Sequence, residues 1–292
     1  MNNKEMPMGK ASRRNKEKKP KKARIQFVDR PFDGLAFEPQ LVAMREIIPA
    51  ATLPVRTTAE YGSEDLLIVT LLPGMAAASR RNDGVLLVAA QTVMNSGDVS
   101  LDIADRIIKG LDLKPGDTLA QTDQPVPGPR LQDILDLSVD SEMTLHENYS
   151  FWVDPAELND PQVQSAIEQT REQVLPTAHV PHIDGAYWCR MQREFVRWVR
   201  PEPEAHVLDA LARLHQAREL GFDGGRFVGA FRALGLMIPV FELDAGSEAD
   251  ELSEPMAVLA QRLDEALAVT EPLTAEERRA RAGIISRQVT LR

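Results

Sequence analysis

The residues best able to do chemistry are concentrated in residues 179–244. This stretch contains four of the five histidines, two of the three tryptophans and the only cysteine, Cys189. Imidazole and thiol groups are common zinc ligands and common partners in nucleophilic catalysis. The sequence therefore predicts that a site, if the chain has one, lies here.

The histidines at the start of this stretch could form a metal site. His179, His182 and Cys189 would supply three ligands. However, Pro181 breaks any helix between the histidines, no fourth ligand has a familiar spacing, and a lone cysteine is often a small buried apolar side chain. We therefore predict no metal and no cofactor. A nucleophilic thiol would need a lowered pKa, and the neighbouring Trp188 favours a buried, inert one.

His182, Trp188 and Cys189 are retained as a candidate pocket next to a group of arginines. The arginines are Arg190, Arg193, Arg197 and Arg200, which alternate with Trp188, Phe195 and Trp198. Guanidinium groups bind phosphates and stack on bases, so these arginines are candidates for anion or nucleic-acid binding. The alternative is the solvated face of a hairpin, on which nearby glutamates neutralise the arginines.

No motif with a specific mechanism accompanies these residues. The chain lacks the G-x-S-x-G elbow, the G-x-x-x-x-G-K-[ST] phosphate loop and a G-x-G-x-x-G turn after a strand. The glycine-rich residues 221–225 lack the lysine of a phosphate loop, and a helix end followed by a turn explains them. The sequence therefore identifies no catalytic residue and leaves enzymatic activity open.

Charge is strongly segregated along the chain. The net charge is −10, but residues 1–24 contain ten Lys/Arg and two Glu, so this segment carries +8 and the remainder −18. A block of like charge with few apolar residues predicts disorder. The segment is a solubilising tail, an arm that contacts nucleic acid or the ribosome, or an anionic-lipid ligand. The candidate contacts are Arg13, Arg14, Lys18, Lys19, Lys21 and Lys22.

Composition limits the class of protein. A chain of 292 residues with 43% hydrophobic and 27% charged residues is typical of one large or two small globular domains. One cysteine excludes an internal disulfide and suits a reducing cytosol. The apolar runs are far shorter than the roughly 18 residues of a membrane span, and no secretory signal is present. We predict a cytoplasmic protein without a membrane span.

Periodicity predicts an α/β or α+β fold, with two lobes of mixed sheets covered by helices and a disordered basic arm before them. The apolar runs 66–72 and 84–90 fit strands buried on both faces, and both a parallel and an antiparallel pairing of the two are open. Other predicted strands are 143–153, 185–191, 195–200 and 236–243, the last at an edge or bulge because of Pro239. One predicted helix begins at Pro39 and another at Pro161. A third follows the Asp98 cap and ends at Gly110. Three more cover residues 205–220, 226–234 and 255–269.

The predicted boundaries follow proline and capping signals. Alternating prolines make residues 123–130 the candidate linker between a first lobe, 27–124, and a second lobe, 131–272. The basic arm, 1–26, precedes both lobes. A C-terminal helix, 273–292, opens with the capping box that begins at Thr274.

Several stretches resemble an uncharacterised actinobacterial protein family. They are MGKASRR (8–14), AYWCR (186–190), LDALARLH (208–215), FVGAFR (227–232), LTAEERRARAG (273–283) and SRQVTLR (286–292). The resemblance spans essentially the whole chain and leaves Met1 and Met8 as alternative starts. The family carries a domain of unknown function, and its members are sometimes labelled as SecA-like translocase or topoisomerase proteins. The resemblance implies lineage and a cytosolic setting but supplies no catalytic residue, and one cysteine cannot form a cysteine-rich zinc motif.

Three hypotheses of function follow. The first is a non-enzymatic binding protein whose basic arm contacts nucleic acid or the ribosome, with residues 190–200 as a second contact. The second is an enzyme acting on an anionic small molecule at residues 190–200, with a histidine near Cys189. The third is a protein-interaction module using the helix from Thr274, which could instead pack on its own body. A pocket joining Cys189, His182 and the arginines would favour the enzyme.

Overall fold

A computed structural model describes residues 24–120, 123–286 and 289–291. Within these ranges the chain forms two mixed sheets with helices packed around them, which confirms the predicted mixed α/β class. The predicted basic arm lies almost entirely outside the described residues. None of the described helices is long and apolar enough to cross a membrane.

The first sheet has the strand order β5-β3-β4-β2-β1-β6. Its strands are β1 Ala51–Arg56, β2 Asp65–Val69, β3 Ala78–Arg80, β4 Leu86–Ala89, β5 Thr118–Leu119 and β6 Thr144–Leu145. The helices α1 Glu38–Glu46, α2 Val99–Leu111 and α3 Leu131–Ile134 pack with it. The two long apolar runs form β2 and β4, which pair in parallel with Leu66 opposite Leu86.

The second sheet has the order β10-β11-β12-β9-β8-β7, and β13 pairs in parallel with β11. Its strands are β7 Thr177–His179, β8 Ala186–Arg190, β9 Glu194–Trp198, β10 Gly221–Phe222, β11 Gly225–Ala233, β12 Leu236–Leu243 and β13 Val289–Leu291. The later helices are α4 Pro161–Arg171, α5 Glu204–Ala217, α6 Ser253–Leu267 and α7 Ala275–Ile285. The predicted hairpin of β8 and β9 is confirmed.

The two sheets share an apolar core. Tyr187, Val199 and Ile238 of the second sheet belong to the same buried cluster as α1, β1, β2 and β4. The opposite face of the second sheet forms a separate cluster with α5 and α6. The chain changes sheet between Leu145 and Thr177, which is later than the proline-rich residues 123–130, because α3 and β6 still belong to the first body.

Helix α2 holds the loop that follows β4. Asp98 caps α2 by accepting hydrogen bonds from the backbone N–H groups of Ser100 and Leu101, as predicted. The helix continues through Gly110 rather than ending there. A Cβ at Gly110 would lie 3.0 Å from a Leu86 methyl group, so glycine allows the helix to approach the sheet closely.

Arg106 of α2 is fully buried beneath this loop. Its guanidinium donates to the carbonyl oxygens of Ala89 (2.8 Å), Ala90 (3.3 Å) and Met94 (3.3 Å), and to Thr92 Oγ1 (2.7 Å). Burial lowers the pKa of Arg106 to about 10, so the side chain stays charged at neutral pH. One buried cation therefore fixes the loop at the carboxyl end of β4.

Two predicted elements are wrong, and the predicted strand 236–243 is confirmed as β12 but is not an edge strand. Residues 226–234, predicted as a helix, form most of β11, and residues 143–153 contain only the short β6 and a 3-10 turn at Ser150–Trp152. Pro239 lies in β12 between β11 and β9, not at an edge, and the bulge is on β11. The β11–β12 turn places Leu234 and Gly235 at φ 47° and 87°, as a type I′ turn requires, without the usual Asn-Gly signal.

The terminal helix α7 packs on the protein's own body. Thr274 and Glu277 form the predicted capping box. Arg281 Nε lies 2.7 Å from Asp209 Oδ1 of α5, and Ile284 is buried. The side of α7 that carries Arg281 and Ile284 is thus engaged within the chain rather than free for another protein.

Candidate functional site

Carboxylates neutralise the first two arginines of the predicted anion face. Arg190 lies over the Trp188 ring, 4.9 Å from its centroid, donates to Glu194 Oε1 at 3.1 Å and forms an ion pair with Glu248. Arg193 forms an ion pair with Glu242. These contacts leave little positive charge available for a phosphate.

Arg200 is also engaged. It is 8% exposed, donates to both carboxylate oxygens of Glu202 at 3.0 and 2.5 Å, and lies 4.4 Å from the Trp198 centroid. Arg197 alone of the four has no ion pair within the described residues, and its nearest polar contact is Met191 Sδ at 3.6 Å. The geometry thus favours the solvated hairpin over an anion site for three of the four arginines.

The candidate pocket of His182, Trp188 and Cys189 does not assemble. Side chains alternate along a strand, so Trp188 and Cys189 lie on opposite faces of β8. Trp188 packs in the core beneath α5 and α6 and donates to the carbonyl oxygen of Ser247 at 2.9 Å. His182 is exposed in the turn before β8, at φ 63°.

Cys189 has the surroundings of an inert thiol. It is 1% exposed, and burial, the largest influence, raises the pKa of its thiol, while the charge of Arg197 lowers it by less. Within the described residues, no three His, Cys, Asp or Glu side chains are grouped closely enough to hold a metal ion. The candidate residues between 179 and 190 therefore do not come together in one site.

The structure places a different group of polar residues in one cavity. An open cleft of about 1040 Å³ lies where the two sheets meet at the start of α1. Its walls come from α1, the β6 segment and the turn before β8, and Tyr187 and Val199 line it from the face of the second sheet. We call it the acidic cleft, after Glu38, Glu142 and Asp184, which line it together with His179 and Tyr187.

Tyr187 is the phenol that lines the acidic cleft. Its side chain is only 3% exposed and belongs to the apolar core shared by the two sheets. Burial, and then the charge of Asp184, raises the pKa of the phenol, so it remains protonated at neutral pH.

His179 packs against this phenol. Its ring meets the Tyr187 ring edge-on, with centroids 5.6 Å apart and planes at 78°. Burial lowers the pKa of His179, while the charges of Asp184 and Glu142 oppose this effect. The imidazole is therefore uncharged at pH 7 and does not offset the nearby carboxylates.

The carboxylates of the cleft differ in their partners. Glu38 is 4% exposed and forms a two-pronged ion pair with Arg30, at 2.7 and 2.6 Å. Glu142 and Asp184 are exposed at the rim and have no ion pair within the described part of the chain. Two exposed carboxylates without ion pairs are suited to an ammonium or guanidinium group.

No sequence signal pointed to this cleft, although His179 belongs to the stretch singled out for chemistry. The other residues come from three separate segments: Glu38 begins α1, Glu142 precedes β6, and Asp184 and Tyr187 flank the start of β8. Only the packing of the two sheets brings them together.

The fold and the cleft define a mixed α/β protein with two sheets around a shared core and a polar opening between them. The chain belongs to a family of unknown function, DUF5926, whose model matches residues 31–292. This match confirms the predicted membership of an uncharacterised domain family, whereas the predicted actinobacterial origin stays a prediction. No curated protein and no solved structure matches the chain.

Proposed function

We propose that the protein is a non-enzymatic, cytoplasmic binding protein whose basic N-terminal arm contacts nucleic acid or the ribosome. The observation that carries this proposal is the separation of charge, with +8 in residues 1–24 and −18 in the remainder. An acidic body repels a phosphate backbone, so attraction is concentrated in the arm.

The contacts within the body support this division. Three of the four arginines at residues 190–200 are engaged by glutamates, so the hairpin adds little to phosphate binding. Cys189 and His182 share no pocket, which weakens the enzyme hypothesis, and α7 is docked on α5, which weakens the interaction-module hypothesis. The arm remains the best-supported contact.

The test is a salt series with a labelled RNA duplex and a labelled DNA duplex. The full-length protein is compared with a variant carrying Lys18, Lys19, Lys21 and Lys22 as glutamine. The slope of log affinity against log salt is about 0.9 per phosphate contact on a DNA duplex, so losing four contacts should flatten it by about 3.5.

Arg193→Gln is the matched control in the body, because it removes a charge already paired with Glu242. We expect its slope to equal that of the full-length protein. Equal affinity and slope in the arm variant would refute the proposal, and a flattened slope in Arg193→Gln alone would place the contact on the hairpin.

A further inference from the structure

A second cavity, of about 380 Å³, lies between the end of α1, the loop after β4 and the β11–β12 turn. We call it the junction cavity. Its wall is mostly apolar, with a few polar groups at the end of α1 and in the loop, and includes Phe27, Val28, Arg45, Glu46, Asn95, Val99 and Leu234. Cavities of about 300 Å³ or more with such walls are typical sites for small ligands.

Phe27 lines the junction cavity and is 66% exposed. The chain next to it is held at two points. The Val28 N–H donates to the carbonyl oxygen of Gly97 at 2.9 Å. Asp29 forms an ion pair with Arg232 of β11. An exposed aromatic ring held beside an apolar cavity is a stacking platform for a flat ring.

Glu46, the last residue of α1, is the unsatisfied polar group of the junction cavity. Its side chain is 20% exposed, and its one partner among the described residues is Arg45 Nε, 3.4 Å from Glu46 Oε1. That N–H is buried and makes no hydrogen bond. Burial raises the pKa of the Glu46 carboxyl, and the charge of Arg45 opposes this rise. Withdrawing a carboxylate from water without hydrogen bonds is costly, so a ligand that donates to Glu46 would be stabilised.

Other acceptors hold Arg45 away from a better contact with Glu46. Its Nη1 donates to the carbonyl oxygen of Ala90 at 2.8 Å, and its Nη2 donates to Asn95 Oδ1 at 2.9 Å. The second contact also orients the Asn95 amide, whose oxygen is used and whose NH₂ group is left as a donor. The junction cavity therefore offers a carboxylate acceptor, an amide donor and an aromatic face.

We propose that the junction cavity binds a guanine ring. Guanine is the nucleobase with two adjacent N–H donors, at N1 and the 2-amino group, next to an acceptor, O6. The Glu46 carboxylate accepts from both donors, the Asn95 amide donates to O6, and Phe27 stacks on the ring. Adenine instead presents a lone pair at N1 to the carboxylate, and a cationic ligand is repelled by Arg45.

This site goes beyond the proposed function and does not rest on it. The basic arm is proposed to contact phosphates, and that attraction is the same for every base. The junction cavity instead selects a base, either in a strand or in a free nucleoside or nucleotide. Preference for guanine is therefore the property that tests the cavity.

The probes are guanosine, inosine and adenosine, added to the full-length protein and followed by NMR of labelled Val and Leu methyl groups. Guanosine should bind with a Kd on the order of 1 mM, since mainly its base is buried. Saturating shifts should fall on Val28, Val99 and Leu234, and not on Val258, which is exposed on α6. Inosine lacks the 2-amino group and should bind about tenfold more weakly, and adenosine should give no saturating shifts.

Glu46→Gln should weaken guanosine binding about tenfold and reduce the preference for guanosine over inosine to about twofold or less. A merely structural effect of this substitution would weaken both nucleosides equally. Glu60→Gln is the matched control, because it makes the same change in charge and Glu60 does not line the junction cavity. Phe27→Ala should weaken both nucleosides by at least about fivefold and leave the preference unchanged.

Three results would each overturn the proposal: equal binding of the three nucleosides, saturating shifts only at other methyl groups, and an unchanged preference in Glu46→Gln. A second assay uses a short single-stranded RNA of uridines with one central guanosine or inosine. Preference for guanosine in both assays assigns the site to a base in a strand, and preference with nucleosides alone assigns it to a free nucleoside or nucleotide. Failure of the RNA strand to bind, with the nucleoside preference intact, would count against the proposed function only.

Discussion

Arg106 offers the most direct test of how the first body is held together. Its guanidinium is fully buried and donates to three carbonyl oxygens and to Thr92 Oγ1 in the loop after β4. The nearby Asp102 is also fully buried and accepts from the Ser96 N–H at 3.0 Å. Burial, the largest influence, raises the pKa of the Asp102 carboxyl, and the hydrogen bonds from Ser96 and then the charge of Arg106 oppose this rise.

Replacing Arg106 with methionine keeps an apolar stem but removes the charge and every donor. The loop acceptors and Asp102 would then be buried without their cation, and breaking a buried charged network typically costs about 3–5 kcal/mol. The free energy of unfolding of an ordinary domain is about 5–15 kcal/mol, so a variant with this loss should still fold at low temperature. Arg106→Lys keeps the charge but loses the planar fork, and we expect it to cost about 1–3 kcal/mol.

The measurement is urea unfolding at pH 7, followed by circular dichroism and extrapolated to water. Lys109→Met on the same helix is the matched control, since its ion pair with Asp105 is half exposed and worth at most about 0.5 kcal/mol. A loss below about 1 kcal/mol for Arg106→Met would refute the reasoning. Equal stability of Arg106→Lys and the parent would show that the forked geometry is unimportant.

Three further measurements each test a single feature of the fold. The Cys189 thiol, buried and with a raised pKa, should react with a thiol reagent at pH 8 only when the chain is unfolded, and rapid native reaction would contradict its burial. Burial lowers the pKa of His146 below 6.5, so as the pH falls the unfolded chain takes up a proton on this imidazole before the folded chain does. The free energy of unfolding should therefore fall as the pH decreases below about 6.5. His146→Gln should reduce that fall in melts measured at different pH. Thr274→Ala removes the cap on the Glu277 N–H and should cost about 1 kcal/mol in urea unfolding, whereas Thr274→Ser should not.

Much of the secondary structure could be predicted because its signals are local. The Asp98 and Thr274 caps and the alternation through the β8–β9 hairpin act over a few residues, and each is present in the fold. The β11 strand was missed because its apolar residues are spaced ambiguously and the turn at Leu234 and Gly235 lacks the usual residues. Its partner strands, which decide its conformation, lie elsewhere in the chain.

The candidate site could not be predicted in the same way. His179 was singled out, but for metal binding with His182, which is exposed in a turn. The acidic cleft depends on Glu38 and Tyr187 meeting across about half of the chain, and no spacing rule connects them.

The sequence alone determined the segregation of charge, the lack of a recognisable catalytic motif and the positions of most helices and strands. Tertiary structure decided which charges are free. Arg193 is neutralised by Glu242, 49 residues away, because β9 pairs with β12 in a register that sets Phe195 opposite Glu242. Helix and strand signals act between neighbours in the chain, whereas ion pairs and clefts depend on which distant segments the packed core brings together.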